Sequence, residues 1–302
     1  MTASVAAAPS TVAPFGSRLA AAFDARGQLC VGIDPHPYLL NAWGLTDDAA
    51  GLTDFGLRVV DASVGYAGIV KPQVAFFERH GSAGFLALEQ VLSAARAAGL
   101  LIIADAKRGD VGTSVEAYGQ AWFQPGSPLE ADALTVSAFQ GVQSLAAPIA
   151  LAAASGKGLF VLAATSNPES EATQTAIISR GPRAGHTVAA GIVADVVDEN
   201  QNQRTDGSSP DLGSLGVVLG ATVNFTDYGI NLDSLAGNGV ATPILAPGFG
   251  HQGAEFEQLG ALYGAASALA IVSVSRSILT AGPHEIAGAI AVQAKAVFQW
   301  RG

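Results

Sequence analysis

Cysteine and charge are both scarce in this chain of 302 residues, and each shortage excludes a class of protein. One cysteine, Cys30, leaves no internal disulfide framework and no CxxC metal knuckle, and it suits a reducing cytosol. Charged residues are only 13% of the chain, the net charge is −10, and no Lys/Arg block occurs. General attraction to nucleic acid or to an anionic membrane is excluded, so any anionic ligand has to be held locally. No apolar run is long enough, and free enough of glycine and polar residues, to span a bilayer. The start, Met1 to Pro14, lacks the basic and continuous apolar regions of a secretory signal and reads as a mobile tail. A soluble, cytoplasmic protein is expected. The five histidines show neither HxH nor HExxH spacing, which argues against a protein-built metal site. No GxGxxG follows the first apolar run, where a dinucleotide site would need it.

Apolar residues, by contrast, are 49% of the chain, and they recur in a pattern. Short β-branched or apolar runs, each ended by a polar or glycine-rich cluster, occupy 30–33, 68–70, 100–104, 133–136, 159–163, 216–219, 242–245 and 269–274. Between them lie Ala/Leu-rich stretches with helical spacing, among them 83–98, 143–154, 184–198 and 284–298. Continuous apolar strands alternating with helices predict a parallel sheet covered by helices. With Asp34, Lys71, Asp105, Ser137, Thr165, Gly220, Ala246 and Ser275 as strand ends, the steps are 37, 34, 32, 28, 55, 26 and 29 residues. Most are near the size of one βαβ unit. That regularity predicts one α/β domain over 15–302, a closed (β/α)8 (TIM) barrel, in preference to an open doubly wound sheet or two domains. The long step contains the polar stretch Glu199 to Pro210, expected to form an exposed insertion near 199–212.

Lysine is rare: Lys71, Lys107, Lys157 and Lys295 are the only four, and the first two close apolar strands. Strand C-termini of a barrel converge on one face, so Asp34, Lys71, Asp105 and Lys107 are expected to meet there. Each ion pair taken alone could merely cap a strand. Gathered at a pocket, the charges cost desolvation that apolar residues would not, which favours a functional role. At the seventh and eighth strand ends, Gly248-Phe-Gly-His-Gln-Gly253 and Arg276 offer backbone N–H groups, an amide and a guanidinium fork suited to a phosphate dianion. Turn geometry alone would explain the glycines. Arg276, directly after an apolar strand, shifts the balance.

Six segments in order carry a resemblance: Asp34 in Val-Gly-Ile-Asp-Pro, Lys71 in Val-Lys-Pro-Gln, Asp105-x-Lys107-x-x-Asp110, Thr135-Val-Ser137, Ala246-Pro-Gly-Phe-Gly-His-Gln252-Gly and Ser273-Val-Ser275-Arg276. Over roughly 15–300 the chain resembles the orotidine 5′-phosphate decarboxylase family. Arg108 in the hexad and Thr165-Ser-Asn-Pro-Glu169 look like its longer branch.

The resemblance implies conversion of orotidine 5′-phosphate to uridine 5′-phosphate and CO2 in pyrimidine biosynthesis, with no metal or cofactor, by a homodimer with shared sites. It implies that Lys107 protonates the carbanion left at C6, that Asp105 faces the substrate carboxylate, and that Lys71, Asp105 and Lys107 alternate in charge with Asp110 from the neighbouring subunit. Gln252 and Arg276, with Gly250 and Ser275 beside them, would take the phosphate, and Ser137 the pyrimidine. Asp34 and Lys71 would contact ribose hydroxyls, and Ser114 or Thr113 the ribose bound by the partner. The chemistry needs such an array because a carbanion on a ring carbon has no adjacent electron sink, so a charged donor must already stand where charge develops. On local sequence Ser137 could equally be a helix N-cap, and for Thr165–Glu169 a loop-building role is the preferred reading.

Three rivals stay open on sequence. A Mg2+-dependent phosphosugar decarboxylase or synthase would share the barrel and the hexad. A Schiff-base aldolase would need Lys107 uncharged, which Asp105 and Asp110 oppose. A non-catalytic nucleotide-binding barrel would keep the pocket without turnover.

Overall fold

In the computed structural model, which describes residues 12–203, 212–237 and 239–300, eight parallel strands close into a barrel in sequence order. They are β1 (Leu29–Ile33), β2 (Ile69–Pro72), β3 (Leu101–Arg108), β4 (Ala133–Val136), β5 (Gly158–Ala164), β6 (Leu215–Leu219), β7 (Ile244–Pro247) and β8 (Ala270–Val274). Closure is explicit at Cys30, which lies opposite Ile69 of β2 on one side and Ser273 of β8 on the other. The single α/β barrel expected from the spacing is the observed fold. Of the two irregular segments expected, the tail falls outside the described residues before Val12, and the insertion does so over 204–211. The first residues of that insertion are not an exposed loop, because Glu199–Asn202 form the last turn of the helix Val188–Asn202, where Asn200 is buried and bonds Leu215.

The strands are largely apolar up to their C-terminal ends, where Lys71, Asp105, Lys107 and Arg108 stand, because both faces are covered. Every residue of β1, β4, β6 and β8 is buried. Inward side chains, among them Ile69, Ile103, Phe160 and Leu245, fill the barrel as a packed core instead of lining a pore. The longer helices are α1 (Phe15–Arg26), α2 (Ala49–Ser63), α3 (Gly81–Ala97), α4 (Gly112–Phe123), α5 (Ala146–Ser155), α6 (Val188–Asn202) and α7 (Ile286–Trp300). Helix α1 closes the N-terminal end of the barrel, where the Phe15 ring stands edge-on to Phe160 at 5.9 Å. Asp48 caps α2 by accepting the Gly51 N–H, and Thr187 caps α6 by accepting the Ala190 N–H. Gly56 lets α2 approach α3: a Cβ there would stand 2.3 Å from Val91 Cγ2.

Several boundaries shift by a few residues from expectation, and two of the shifts have a clear physical reason. Helix α6 begins at Val188 and not at 184, because Gly185 turns the chain at φ +89° and Thr187 then supplies the cap. Strand β3 runs on to Arg108, so the charged hexad is itself largely strand and not the loop beyond it. Among the described residues no helix is long and apolar enough to cross a membrane.

Candidate active site

The C-terminal ends of the strands open into a cavity of about 390 Å³, within the size range of small-ligand sites. Asp34, Lys71, Asp105, Lys107, Gln252, Ser275 and Arg276 all line it, brought together from β1, β2, β3, β7 and β8. A larger and shallower hollow of about 740 Å³, beside the chain that follows β6, has Asp233 as its one charged residue. The charge that the sequence expects at one face is in the smaller cavity.

Asp105 organises it. Its Oδ2 accepts from Lys71 Nζ at 2.9 Å and from Gln73 Nε2 at 3.0 Å; its Oδ1 accepts from Lys107 Nζ at 2.6 Å and Thr135 Oγ1 at 2.9 Å. Burial works against both members of the Lys71–Asp105 pair, which are 6% and 8% exposed. For Asp105 the Lys71 and Lys107 charges outweigh burial and hold the carboxyl well below the usual carboxylate range. For Lys71 the Asp105 charge, then that of Asp34, outweighs burial and raises the ammonium above the usual lysine range. Both are therefore ionised at neutral pH. Below them the Cys30 thiol, fully enclosed, is pushed up to about 12 by burial and stays neutral.

Lys107 differs from its neighbours in two ways. Its side chain is 46% exposed, so the ammonium is tied to Asp105 yet faces the open cavity. Its φ of +49° is the only positive value at a non-glycine among the described residues. Such a backbone costs roughly 1–3 kcal/mol and persists only where its surroundings enforce it. Two further polar atoms lack partners: Asp34 Oδ1 and Ser275 Oγ are buried, and among the described residues neither finds a hydrogen-bond partner. Both residues line the cavity, and unmet hydrogen-bonding capacity on adjacent strands is what a bound hydroxyl or phosphate would satisfy. Gly32 makes room for Ser275, since a Cβ on it would come within 2.7 Å of Ser275 Cβ.

Four expected residues are not brought into this cavity. Gly250 sits in the β7 loop at φ +72° and gives its N–H to the Ala254 carbonyl, so its donor is used within the turn. Ser137, just beyond β4, is half-buried, with its carbonyl close to Gly109, while Thr135 two residues earlier takes the inward position. Asp110 accepts the Val111 N–H and stands at the rim, and Ser114, with Thr113, is exposed on the first turn of α4. Val111, next to Asp110 in the chain, is 53% exposed.

The cavity also contains residues to which the sequence assigned no role or a bland one. Ser166 and Asn167 line it, and the Ser166 hydroxyl donates to Gln252 Oε1 at 3.3 Å, tying the loop after β5 to the loop after β7. Thr165 does the loop-building expected of that cluster through Asn167, Ser170 and Gln174. His251 lines the mouth. Arg108 bonds both Glu78 oxygens at 3.0 Å and lies over the Tyr118 ring, on the outside of the site. The available signal for Gln73 and Thr135 was strand alternation, which puts each two residues from an inward neighbour.

Residues 27–289 match the family model described as orotidine 5'-phosphate decarboxylase / HUMPS family. A Nocardioides sp. protein named orotidine 5'-phosphate decarboxylase is 49% identical over 266 residues, 88% of this chain and 92% of that protein. A Streptomyces coelicolor protein of the same name is 46% identical over 89% of this chain and 91% of its own. A crystal structure from Streptomyces avermitilis has a TM-score of 0.86 at 44% identity, covering 96% of both chains. The OMP decarboxylase structure from Leishmania donovani has a TM-score of 0.71 at 25% identity, over 95% and 98% of the two chains.

Proposed function

The chain belongs to the orotidine 5'-phosphate decarboxylase / HUMPS family, and from that premise we propose that it converts orotidine 5′-phosphate to uridine 5′-phosphate and CO2 without metal or cofactor. One observation carries the reading: a buried carboxylate, Asp105, bracketed by Lys71 and Lys107 at the base of a cavity that keeps Lys107 Nζ open to a ligand. In the reaction the bond from C6 to the carboxylate breaks, its electron pair stays on C6, and CO2 leaves. The Lys107 ammonium then gives its proton to C6, and the resulting amine is reprotonated from water. Because both oxygens of Asp105 are already engaged by fixed donors, the charge pattern is set before substrate arrives and needs little reorganisation during reaction.

Arg276 and Gln252 take the phosphate, the unpaired Oδ1 of Asp34 accepts from a ribose hydroxyl, and the unpaired Ser275 hydroxyl donates to a phosphate oxygen. Ser166, which lines the cavity where Ser137 does not, faces the base. The protein works as a cytoplasmic homodimer in which the partner subunit's Asp110 completes the charge array. The position of Asp110 and Ser114 outside their own cavity, beside exposed Val111, supports that arrangement.

The test is CO2 release from orotidine 5′-phosphate after exhaustive chelation. Sustained release is expected. Strict Mg2+ dependence would transfer the assignment to a phosphosugar decarboxylase or synthase, and nucleotide binding without release to a non-catalytic barrel. Sharing is tested by mixing inactive Asp110→Ala and Lys107→Ala chains, which should restore part of the activity. No recovery after confirmed subunit exchange overturns it.

A further inference from the structure

We infer that Thr135 is a positioning residue for this reaction, fixing the backbone and the ammonium of Lys107 together; the inference rests on the proposed decarboxylation. Strands β3 and β4 pair at Ala104 with Leu134 and again at Arg108 with Val136. Between those pairs Asp105, Ala106 and Lys107 have only Thr135 as counterpart. A bulge of this kind re-aims side chains and leaves backbone donors without ladder partners. The Lys107 N–H is one such donor, and it goes to Thr135 Oγ1 at 3.0 Å. The same hydroxyl gives its own hydrogen to Asp105 Oδ1 at 2.9 Å, the oxygen that Lys107 Nζ meets at 2.6 Å.

The bonds form a ring from the Lys107 backbone through Thr135 and Asp105 back to the Lys107 ammonium. This ring encloses the one non-glycine residue with positive φ among the described residues. Thr135 is 1% exposed, so its side chain has no competing water to replace either bond. A valine would fill the same volume and offer neither hydrogen bond. A serine would offer both.

Steady-state kinetics of full-length Thr135→Val and Thr135→Ser on orotidine 5′-phosphate test this. Thr135→Val should lower kcat about a hundredfold, the scale of loss when a reacting group is displaced by about an ångström, with KM little changed. Thr135→Ser should keep most of the turnover. Exchange of the Lys107 amide hydrogen with solvent should quicken in Thr135→Val and stay protected in Thr135→Ser. Wild-type kcat in the valine variant, or a serine variant as slow as the valine one, overturns the inference. If Thr135→Val does not fold, Thr135→Ala replaces it under the same criteria. A wild-type protein that releases no CO2 sinks the functional reading and this inference with it. An active wild type beside an unimpaired Thr135→Val sinks this inference alone.

Discussion

The barrel buries lysine–carboxylate clusters at both ends, and they are built on opposite principles. At the N-terminal end Lys157 is as buried as Lys71 at the other, each 6% exposed. Lys157 Nζ meets Glu130 at 2.8 Å; Asp132 accepts from Arg18 at 2.5 Å and from the Ile102 N–H at 2.9 Å; and Arg18 also reaches the Gly156 carbonyl. Phe15 and α1 cover this network, and its charges meet one another. At the C-terminal end the same chemistry borders a cavity, with one exposed ammonium, one strained backbone and two orphaned buried atoms. Buried charge by itself is therefore no sign of function. Gln28, at the closed end, also leaves Oε1 without a partner among the described residues, so a lone orphan is no sign either. Asp34 and Ser275 are informative because their orphaned atoms belong to residues lining the same space as Lys107.

The sharpest way to break the comparison is Lys107→Ala. If Lys107 is the proton donor as proposed, its loss should lower turnover at least about a thousandfold while uridine 5′-phosphate binding stays measurable. If turnover survives, the open end is one more structural network. The counterpart at the closed end is Asp132→Ala, which leaves Arg18, Lys157 and the Ile102 N–H short of a partner. Unpairing a buried charge should cost about 3–5 kcal/mol in urea unfolding, with kcat of the remaining folded enzyme unchanged. A stable but slow Asp132→Ala would erase the distinction between the two ends. Next in size is Arg276→Ala. If Arg276 holds the phosphate as proposed, removing its charge-assisted bonds should weaken uridine 5′-phosphate binding by about 2 kcal/mol, or about thirtyfold by calorimetry, with a smaller effect on kcat. An effect on kcat alone would move Arg276 out of the phosphate subsite.

The closed barrel was legible in sequence because each strand carries a short β-branched or apolar run with a polar or glycine-rich end, and eight of them fit one spacing. The gathering of Asp34, Lys71, Asp105 and Lys107 followed from the fold, since strand ends converge. Orientation was not legible. Whether Thr135 or Ser137 faces inward depends on where alternation stops at the end of β4, and no residue type announces that. The left-handed turn at Lys107 arises from a bulge between two strands, a property of their pairing and absent from either run alone. Gly250 looked like a phosphate donor because its neighbours do, yet its N–H is committed within its own turn. The loop at Thr165–Glu169 was read as structural, and Thr165 is; Ser166 and Asn167 reach the cavity because the same turn projects them over it.

The gentlest test is a slope instead of a step, and it concerns the charge at the open end. In an unfolded chain an aspartate titrates near about 3.9. In the folded protein burial pushes Asp105 up, but Lys71 and Lys107 pull it further down, so the folded value is depressed. A depressed carboxylate contributes stability that is complete above the unfolded value and is lost as pH falls through the folded one. Lys71 runs the other way: burial lowers it, Asp105 and then Asp34 raise it more, so its contribution is intact below the ordinary lysine value and fades only in alkali. The acid limb therefore belongs to Asp105. Asp105→Asn removes that titration and leaves Lys71 buried beside a neutral amide. The stability difference between wild type and Asp105→Asn, measured by urea unfolding, should be greatest at neutral pH and narrow progressively below about pH 4. A difference that stayed flat through the acid range would mean that the lysines do not hold this carboxylate ionised, and the open end would lose its electrostatic contrast with the rest of the barrel.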